Sequence, residues 1–318
     1  MDFGVHIGAR GAADNPDGLR TIARHCEALG YAYLGVSDHI IIARQVDSQY
    51  PYNAAGIWPG TGKGTCLEQL TTLTFVAAVT ERIRLLSSVM VLPYRPPVQT
   101  AKILASLDVL SNGRLTIGAG IGWNAEEMIA LASPPFDRRG TASDEYLAVF
   151  RSLWTSDEPA YKGEFVSFDN VIFEPKPVQK PHPPIWIGGE GRVARRRTGR
   201  FGDGWYPVGR NPRLSLDTPE LFSEAMAEVH RYAEAAGRDP SLIDTAMAIP
   251  WYRLGEAGVD KNGGRSRFTG SAEQIAKDAR GLRDAGLNHL IIAAEYTELQ
   301  QSLDEIERFA KEVAPLVN

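Results

Sequence analysis

The sequence YLGVSDHIII at residues 33–42 joins a buried-strand pattern to two ionisable side chains. Leu34, Gly35 and Val36 are typical of the end of a buried strand, and Asp38 and His39 follow almost at once. An acid and a histidine at the end of an apolar run are costly unless both side chains have partners or a function. The fold must therefore provide this pair with partners or with a function.

Short apolar runs alternate with amphipathic segments along the whole chain. Eight runs are predicted to contain strands, at residues 3–7, 33–36, 83–92, 115–120, 183–189, 202–207, 245–249 and 289–294. Helices are predicted at residues 16–29, 67–80, 97–110, 125–131, 142–154, 192–199, 219–236, 272–285 and 299–313. This alternation is typical of a parallel sheet, and eight units favour a closed (β/α)8 TIM barrel of the α/β class over an open sheet.

A barrel of this size is often a single domain, so residues 1–318 are predicted to form one domain. Two stretches interrupt the alternation, at residues 43–65 and 156–184. The second carries the hairpin-like sequence YKGEFVSFDNVIF. Loops this long in a compact domain tend to be functional. The first follows the second strand, so we expect it on the catalytic face of the barrel.

Composition excludes several classes of protein. The formal net charge of −5 does not favour nucleic acid as a partner. No apolar run approaches the roughly 20 residues of a membrane span. The N-terminal sequence starts in a strand-like pattern without a basic and apolar leader, so we expect a cytoplasmic protein. Cys26 and Cys66 have no spacing typical of disulfides or zinc, and no metal site is predicted.

The predicted barrel gives Asp38 and His39 a location. They lie at the C-terminal end of the second strand, where barrel enzymes place their catalytic groups. A histidine there can donate or accept a proton near neutral pH. The alternative is a structural histidine paired with its neighbour or with a backbone carbonyl, and position alone leaves both interpretations open.

Two glycine-rich stretches resemble nucleotide-binding motifs but do not match them. WPGTGKGT at residues 58–65 has Ile57 where a phosphate-binding loop needs glycine, and Gly64 where it needs Ser or Thr. We interpret it as a mobile loop. GAGIGW at residues 118–123 has Trp123 in place of the last glycine of a dinucleotide fingerprint. Its glycines, Gly120 among them, would still let a flat ligand approach the backbone, although a tight βα turn is the alternative.

The sequence IGGEG at residues 187–191 follows a strand and opens a helix. Backbone amides at such a helix start can hold a phosphate group. The next residues include Arg192, Arg196 and Arg200, which fall on one helical face. They form either a basic patch suited to an anion or a solvated helix face.

Together these segments resemble the luciferase-like monooxygenase superfamily, and more closely its branch that uses the deazaflavin coenzyme F420. The resemblance covers essentially the whole chain, and its most specific part is the block at residues 73–127. Its other parts are SDHI at 37–40, FDRRGTASDEYLAVFRSLW at 136–154, PPIWIGGEG at 183–191, GRFGDGWYP at 199–207 and FTGSAEQIAKDARGLRDAGLNHLII at 268–292.

The resemblance implies a (β/α)8 barrel with insertions, whose mouth holds the ring of the cofactor. It places Asp38 and His39 beside the ring. It also implies a cis peptide bond between Ser88 and Val89, in a bulge against the back of the ring. The residues implied to hold the phosphate of the cofactor are Gly188 and Gly189, with the loop formed by Val208, Gly209 and Arg210.

The function implied is hydride transfer between coenzyme F420 and a small organic substrate, in a protein that is a homodimer by resemblance. His39 would supply the proton or stabilise charge, and Asp38 would orient the histidine or contact the ring. Some relatives have a catalytic acid where Trp123 stands, which leaves open whether Glu126 or Glu127 takes that role. An FMN-dependent monooxygenase and a non-catalytic cofactor-binding barrel are the alternatives.

Overall fold

Eight parallel strands close into a barrel, as the alternating sequence pattern predicts. The computed structural model describes residues 1–60, 64–260 and 262–318. The barrel strands are β1 Asp2–Ile7, β2 Tyr33–Val36, β3 Arg84–Val91, β4 Leu115–Gly120, β5 Ile185–Gly188, β6 Gly204–Tyr206, β7 Asp244–Ile249 and β8 His289–Ala293. Each strand pairs with its neighbours in sequence, and β1 pairs with β8 to close the ring. Their C-terminal ends therefore meet at one mouth.

Helices connect the strands and cover the outside of the barrel. They are α1 Pro16–Ala28, α2 Gln69–Val79, α3 Pro97–Leu110, α4 Ala125–Ala130, α5 Arg139–Thr155, α6 Arg192–Phe201, α7 Pro219–Ala235, α8 Ala272–Asp284, α9 Leu299–Arg308 and α10 Ala314–Val317. The helix predicted at residues 299–313 is shorter, because a turn of π-helix at Phe309–Val313 separates α9 from α10. Within the described residues, none of the helices has the length and apolar character needed to cross a membrane.

Local sequence signals determine where several helices begin. Asn15 caps α1 by accepting a hydrogen bond from the Gly18 amide, and Pro16 occupies the first helical position. Ser271 and Gln274 form a reciprocal capping box at the start of α8. These caps satisfy amide groups that would otherwise have no partner, so the helices start at the ends of the βα loops.

Large side chains fill the interior of the barrel, which is a packed core and not a pore. Tyr33 and Trp186 lie with ring centroids 5.1 Å apart, and Trp186 and Tyr206 lie 5.9 Å apart. Leu86 and Ile291 complete this layer. Because the layer blocks the barrel lumen, any ligand must bind above it at the mouth.

The insertions lie in different connections of the barrel: the stretch at residues 43–65 follows β2, whereas the stretch at residues 156–184 precedes β5. The stretch at residues 156–184 contains the predicted hairpin, formed by Tyr161–Lys162 and Ser167–Phe168. The described residues of the 43–65 stretch form neither helix nor strand, and Gly62 and Lys63 of the rejected phosphate-loop motif lie outside the described residues. A third insertion, at residues 250–271 after β7, was not predicted. It contains the short parallel pair Arg253–Leu254 and Thr269–Gly270.

Strand β3 contains the irregularity that the resemblance implies. The Ser88–Val89 peptide bond is cis, so that prediction is confirmed. The pairing of β3 with β4 shifts register between Ser87 and Met90. A Cβ atom on Gly118 would lie 2.1 Å from the Ser87 carbonyl oxygen. Gly118 is therefore required by the neighbouring backbone, whereas its sequence context suggested room for a flat ligand.

We expect Gly118→Ala to destabilise the fold and to displace the β3 bulge, because the added methyl group has no space. The expected loss is about 1–3 kcal/mol of unfolding free energy, as for overpacked core sites. Urea denaturation followed by circular dichroism measures it. Gly64→Ala is the matched control, because a Cβ atom there meets nothing within 4 Å. Equal stability of the two variants would contradict the close approach at Gly118.

Candidate active site

A cavity of about 970 Å³ opens at the mouth of the barrel. This volume lies in the range typical of small-molecule and cofactor sites. The ionisable and hydroxyl side chains that line it include His6, Arg10, His39, Ser88, Tyr206 and Glu295. They come from three strands, β1, β3 and β6, and from the loops after β1, β2 and β8. The fold therefore brings these polar side chains, which are far apart in the sequence, together at the cavity.

His39 points into this cavity and is held by Glu127. Its Nδ1 atom lies 2.9 Å from Oε2 of Glu127, which is completely buried. The same carboxylate accepts hydrogen bonds from the Tyr94 hydroxyl at 2.9 Å and from the Ile40 and Ile41 amides at 2.7 and 3.2 Å. Glu127 thus fixes both the imidazole ring and the backbone that carries it.

The charge of Glu127 determines which nitrogen of His39 is free. Burial by itself raises the pKa of a carboxyl group, but the hydrogen bond and charge of His39 and the Ile40 amide outweigh it, and the pKa of Glu127 is lowered. Because an ionised carboxylate only accepts hydrogen bonds, Nδ1 of His39 carries a proton. Nε2 is the nitrogen left to exchange a proton within the cavity.

Asp38 has a different partner from the one expected. Arg95 donates to both of its carboxylate oxygens, at 2.7 and 2.8 Å, and the Val91 amide donates at 2.8 Å. Arg95 also pairs with Glu68, which caps the start of α2. Asp38 therefore connects the end of β2 to β3 and α2. The orienting role expected of Asp38 belongs to Glu127.

Aromatic side chains from the insertion after β2 cover one side of the cavity. The Trp58 ring lies 4.2 Å from the His39 ring, and the Tyr50 ring lies 5.2 Å from that of Trp123. Glu126 holds this segment by accepting hydrogen bonds from the amides of residues 47 and 48. Of the two adjacent acids of α4, Glu127 therefore positions the histidine, and Glu126 positions the covering loop.

A second histidine lies across the cavity in its own hydrogen-bond chain. Nε2 of His6 is 2.9 Å from Glu295, and Nδ1 is 2.9 Å from the Ser88 hydroxyl, which is 2.8 Å from the Tyr206 hydroxyl. Arg10 donates to the other oxygen of Glu295 at 2.6 Å. Burial opposes ionisation of Glu295, but the hydrogen bonds and charges of His6 and Arg10 lower its pKa to about 2.

The start of α6 forms another edge of the cavity. Gly188, Gly189, Val193 and Ala194 all line it. Gly189 has a φ of +99°, which a residue with a side chain rarely adopts. Gly191 occupies the N-cap position without a side-chain cap. The helix amides therefore face the cavity edge without a side-chain acceptor from the cap.

The arginine that α6 presents to the cavity is Arg197. It is buried, and it pairs with Asp144 and donates to the Gly140 carbonyl at 3.1 Å. Arg192, Arg196 and Arg200 are exposed and are not among the described residues that line the cavity. These three arginines therefore lie on a solvent-exposed face of α6 outside the cavity lining, where only a ligand tail that leaves the cavity could reach them.

The loop after β6 is only partly at the cavity. Val208 lines it, but its amide donates to Glu190 at 2.8 Å. Arg210 pairs with Asp217 at 3.2 Å, and its guanidinium lies 4.7 Å from the centre of the Trp251 ring. Neither Gly209 nor Arg210 is among the described residues that line the cavity. Arg210 is therefore held by Asp217 and Trp251 outside the cavity lining.

The chain resembles known proteins over most of its length. Residues 1–253 match the family model of the luciferase-like monooxygenases. The chain belongs to this family. Among the described residues of this luciferase-like protein, no group of three or more His, Cys, Asp or Glu side chains could hold a metal ion.

Individual relatives differ in what is known of them. An uncharacterized protein of Mycobacterium tuberculosis is 36% identical over 225 residues, which are 70% of this chain and 76% of that one. The FMNH2-dependent dimethylsulfone monooxygenase of Pseudomonas putida is 25% identical and covers 87% of this chain and 85% of its own. An F420-dependent secondary alcohol dehydrogenase has the same fold, with a TM-score of 0.76 at 19% identity and nearly complete coverage, 100% of this chain and 99% of that one.

Sequence reasoning missed most of the polar groups that line the cavity. Glu127 was one of two open candidates, and His6, Arg10, Tyr206 and Glu295 were not singled out. A usable signal existed, because His6, Tyr206 and Glu295 each lie at or just after the C-terminal end of a barrel strand. In this luciferase-like protein that position was the better guide than any glycine motif.

The lowered pKa of Glu295 predicts how stability depends on pH. The pKa falls from 4.5 to about 2 on folding, so the ionised form contributes stability above pH 4.5, and this contribution disappears as the pH falls towards 2. The shift corresponds to about 3 kcal/mol. We expect Glu295→Gln to be less stable than the wild type by about this amount at pH 7, with a difference that shrinks as the solution is acidified.

Urea denaturation at pH 7, 5 and 3 measures this difference. Glu224→Gln, on the exposed face of α7, is the control for loss of a carboxylate alone. A Glu295→Gln difference that stays constant from pH 7 to pH 3 would show that the carboxylate is not stabilised by His6 and Arg10.

Proposed function

We propose that this luciferase-like protein is an oxidoreductase that binds coenzyme F420, with FMN as the alternative, and transfers a hydride to or from a small organic substrate. The observation that carries the proposal is His39. Its Nδ1 is fixed by an ionised, fully buried Glu127, and its Nε2 is left for the cavity. A histidine held in this way is suited to move a proton beside a reacting group.

The residues around the cavity fit a flat ring with a phosphate-bearing side chain. Val89 forms the floor, and Gly120 and Gly188 lie against it, because a Cβ atom on either would come within 3.2 Å of its methyl groups. The uncapped start of α6 supplies amides and a favourable dipole for a phosphate. Gly188, Gly189 and Val193 would hold that phosphate, with Arg197 behind them.

Each part of the site has a separate task in this proposal. The bound flavin or deazaflavin would supply the hydride chemistry, and the protein would supply orientation, water exclusion and proton transfer. His39 would hold or release a proton at Nε2. Asp38 would keep the end of β2 in place through Arg95. Trp58 and Tyr50 would exclude water above the ring.

Two observations bear on the choice of cofactor. The Pseudomonas putida relative uses FMNH2, which favours FMN. The exposed Arg192, Arg196 and Arg200 follow the helix start where the phosphate would bind, which favours F420, since its tail is polyanionic. We therefore keep F420 as the proposal and FMN as the alternative.

A titration tests the proposal directly. Purified protein is mixed with F420 and with FMN, and quenching of tryptophan fluorescence reports binding, because Trp58 and Trp123 line the cavity. The cofactor that binds is then assayed, in its oxidised and reduced forms, with small alcohols, ketones and sulfones. Failure of both cofactors to bind would refute the proposal, and binding without turnover would favour the non-catalytic barrel.

We expect His39→Ala to lower turnover by ~10²–10⁴-fold, because a proton-transferring group is lost. Cofactor affinity is expected to change far less, since the residues proposed to hold the phosphate lie around the start of α6. Steady-state kinetics and fluorescence titration measure the two quantities on the same protein. His230→Ala, on α7, is the matched control. Full activity in a destabilised His39→Ala protein would assign His39 a structural role.

We expect Val193→Glu to weaken the binding of FMN or F420 by about tenfold, because a carboxylate at the helix start repels a phosphate. Val193 is 56% exposed and lines the cavity, so the fold should tolerate the change. Riboflavin, which lacks the phosphate, serves as the matched ligand, and its affinity should not change. Arg210→Ala should leave all three affinities unchanged. If Arg210→Ala instead weakened FMN, the phosphate would bind at the loop after β6.

A further inference from the structure

Glu295, His6, Ser88 and Tyr206 form a hydrogen-bond chain. Its donors and acceptors can be arranged in two alternative directions. Glu295 is an acceptor, so Nε2 of His6 donates to it in either protonation state of the ring. When His6 is neutral, Nδ1 must accept from the Ser88 hydroxyl, and Ser88 then accepts from the Tyr206 hydroxyl. In this arrangement the Tyr206 hydroxyl donates its hydrogen bond to Ser88, so it cannot donate to a ligand.

Protonation of His6 reverses the chain. Nδ1 then donates to Ser88, and the Ser88 hydroxyl proton turns to the oxygen of Tyr206. The Tyr206 proton becomes available to whatever binds in the cavity, which Tyr206 lines. Adding one proton to His6 therefore frees the Tyr206 hydroxyl to donate one hydrogen bond to a ligand, without movement of any heavy atom.

We propose that Glu295, His6, Ser88 and Tyr206 form a proton relay, separate from His39, which delivers a hydrogen-bond donor or a proton to the bound ligand from the floor of the cavity. This inference rests on the proposed function, because the ligand is the cofactor or a substrate on it. The expected ligand feature is a hydrogen-bond acceptor, such as a carbonyl oxygen or ring nitrogen, facing Tyr206.

Solvent exposure differs between the two ends of this hydrogen-bond chain. The side chains of His6 and Glu295 are 17% and 23% exposed, whereas Tyr206 is only 3% exposed. The His6 end of the chain is therefore the more accessible to solvent, and the Tyr206 end is the more protected. Burial raises the pKa of Tyr206, so its hydroxyl acts as a donor and does not remain as an anion.

The charged neighbours of His6 are suited to a transient positive charge. Glu295, from the loop after β8, faces one nitrogen, and Arg10, from the loop after β1, faces Glu295 and not the imidazole in its hydrogen bonding. From β3 and β6 the chain presents only the hydroxyl groups of Ser88 and Tyr206. At the end of β2, Asp38 is already paired with Arg95.

The proton count of a transfer is balanced. The Tyr206 O–H bond breaks as its proton goes to the ligand acceptor, and the Ser88 proton moves to the Tyr206 oxygen. The proton on Nδ1 of His6 moves to Ser88, so His6 becomes neutral and the ligand gains one proton. No electrons are transferred in the relay, and solvent restores the proton on His6.

Proton uptake on binding tests the relay without an activity assay. Calorimetric titrations of FMN and of F420 into the protein are run at pH 8 in two buffers that differ in ionisation enthalpy. Free histidine side chains are neutral at this pH. The binding enthalpies in the two buffers give the number of protons taken up. We expect Tyr206→Phe to take up fewer protons than the wild type, by up to about one proton per bound ligand.

Two further variants complete the test. Ser88→Ala breaks the chain in its middle and should remove the same uptake. Tyr33→Phe is the matched control, because it removes a hydroxyl from the same aromatic cluster at the opposite end of the barrel, and it should behave as the wild type. Equal uptake by the wild type and Tyr206→Phe would overturn the relay while leaving the proposed function intact. Failure of both ligands to bind the wild type would overturn both.

Discussion

The mouth of this barrel depends on one buried carboxylate. Glu127 accepts hydrogen bonds from the His39 ring, the Tyr94 hydroxyl and the amides of residues 40 and 41. A buried charge is stable only when donors replace the water that it has lost, and four donors do so here. Removing any one of them would leave the charge less compensated. The conformation of the chain after β2, and so the position of His39, follows from this requirement.

Glycines set the other limit on the site, because strand β3 comes too close for side chains at these positions of β4 and β5. Gly118 accommodates the Ser87 carbonyl, and Gly120 and Gly188 accommodate Val89. The irregular part of β3 then faces the mouth, where its Ser88 hydroxyl meets His6 and Tyr206. The same packing constraint therefore shapes the floor of the cavity and brings two distant strands into one hydrogen-bond chain.

The two histidines show how one fold can hold two different ionisable groups within a single cavity. Each is paired with a carboxylate whose pKa is lowered, Glu127 for His39 and Glu295 for His6. His39 has one engaged nitrogen and one nitrogen left for the cavity. His6 has both nitrogens engaged, and it can act on a ligand only through Ser88. The proposed direct and relayed proton transfers would therefore use different groups.

The sequence by itself determined the barrel. The periodicities of strands and helices, and their alternating order, are local properties that can be recognised in a single sequence. It also determined that His39 would be at a strand end, and family resemblance located the cis bond at Ser88. The partner of His39 could not be derived, since Asp38 is adjacent in sequence whereas Glu127 is 88 residues away. Only the closed barrel brought β2 and α4 together, and with them the donors that decided which carboxylate binds the histidine. Long-range pairing of charges is a property of the tertiary structure, because it depends on distances that sequence separation does not encode.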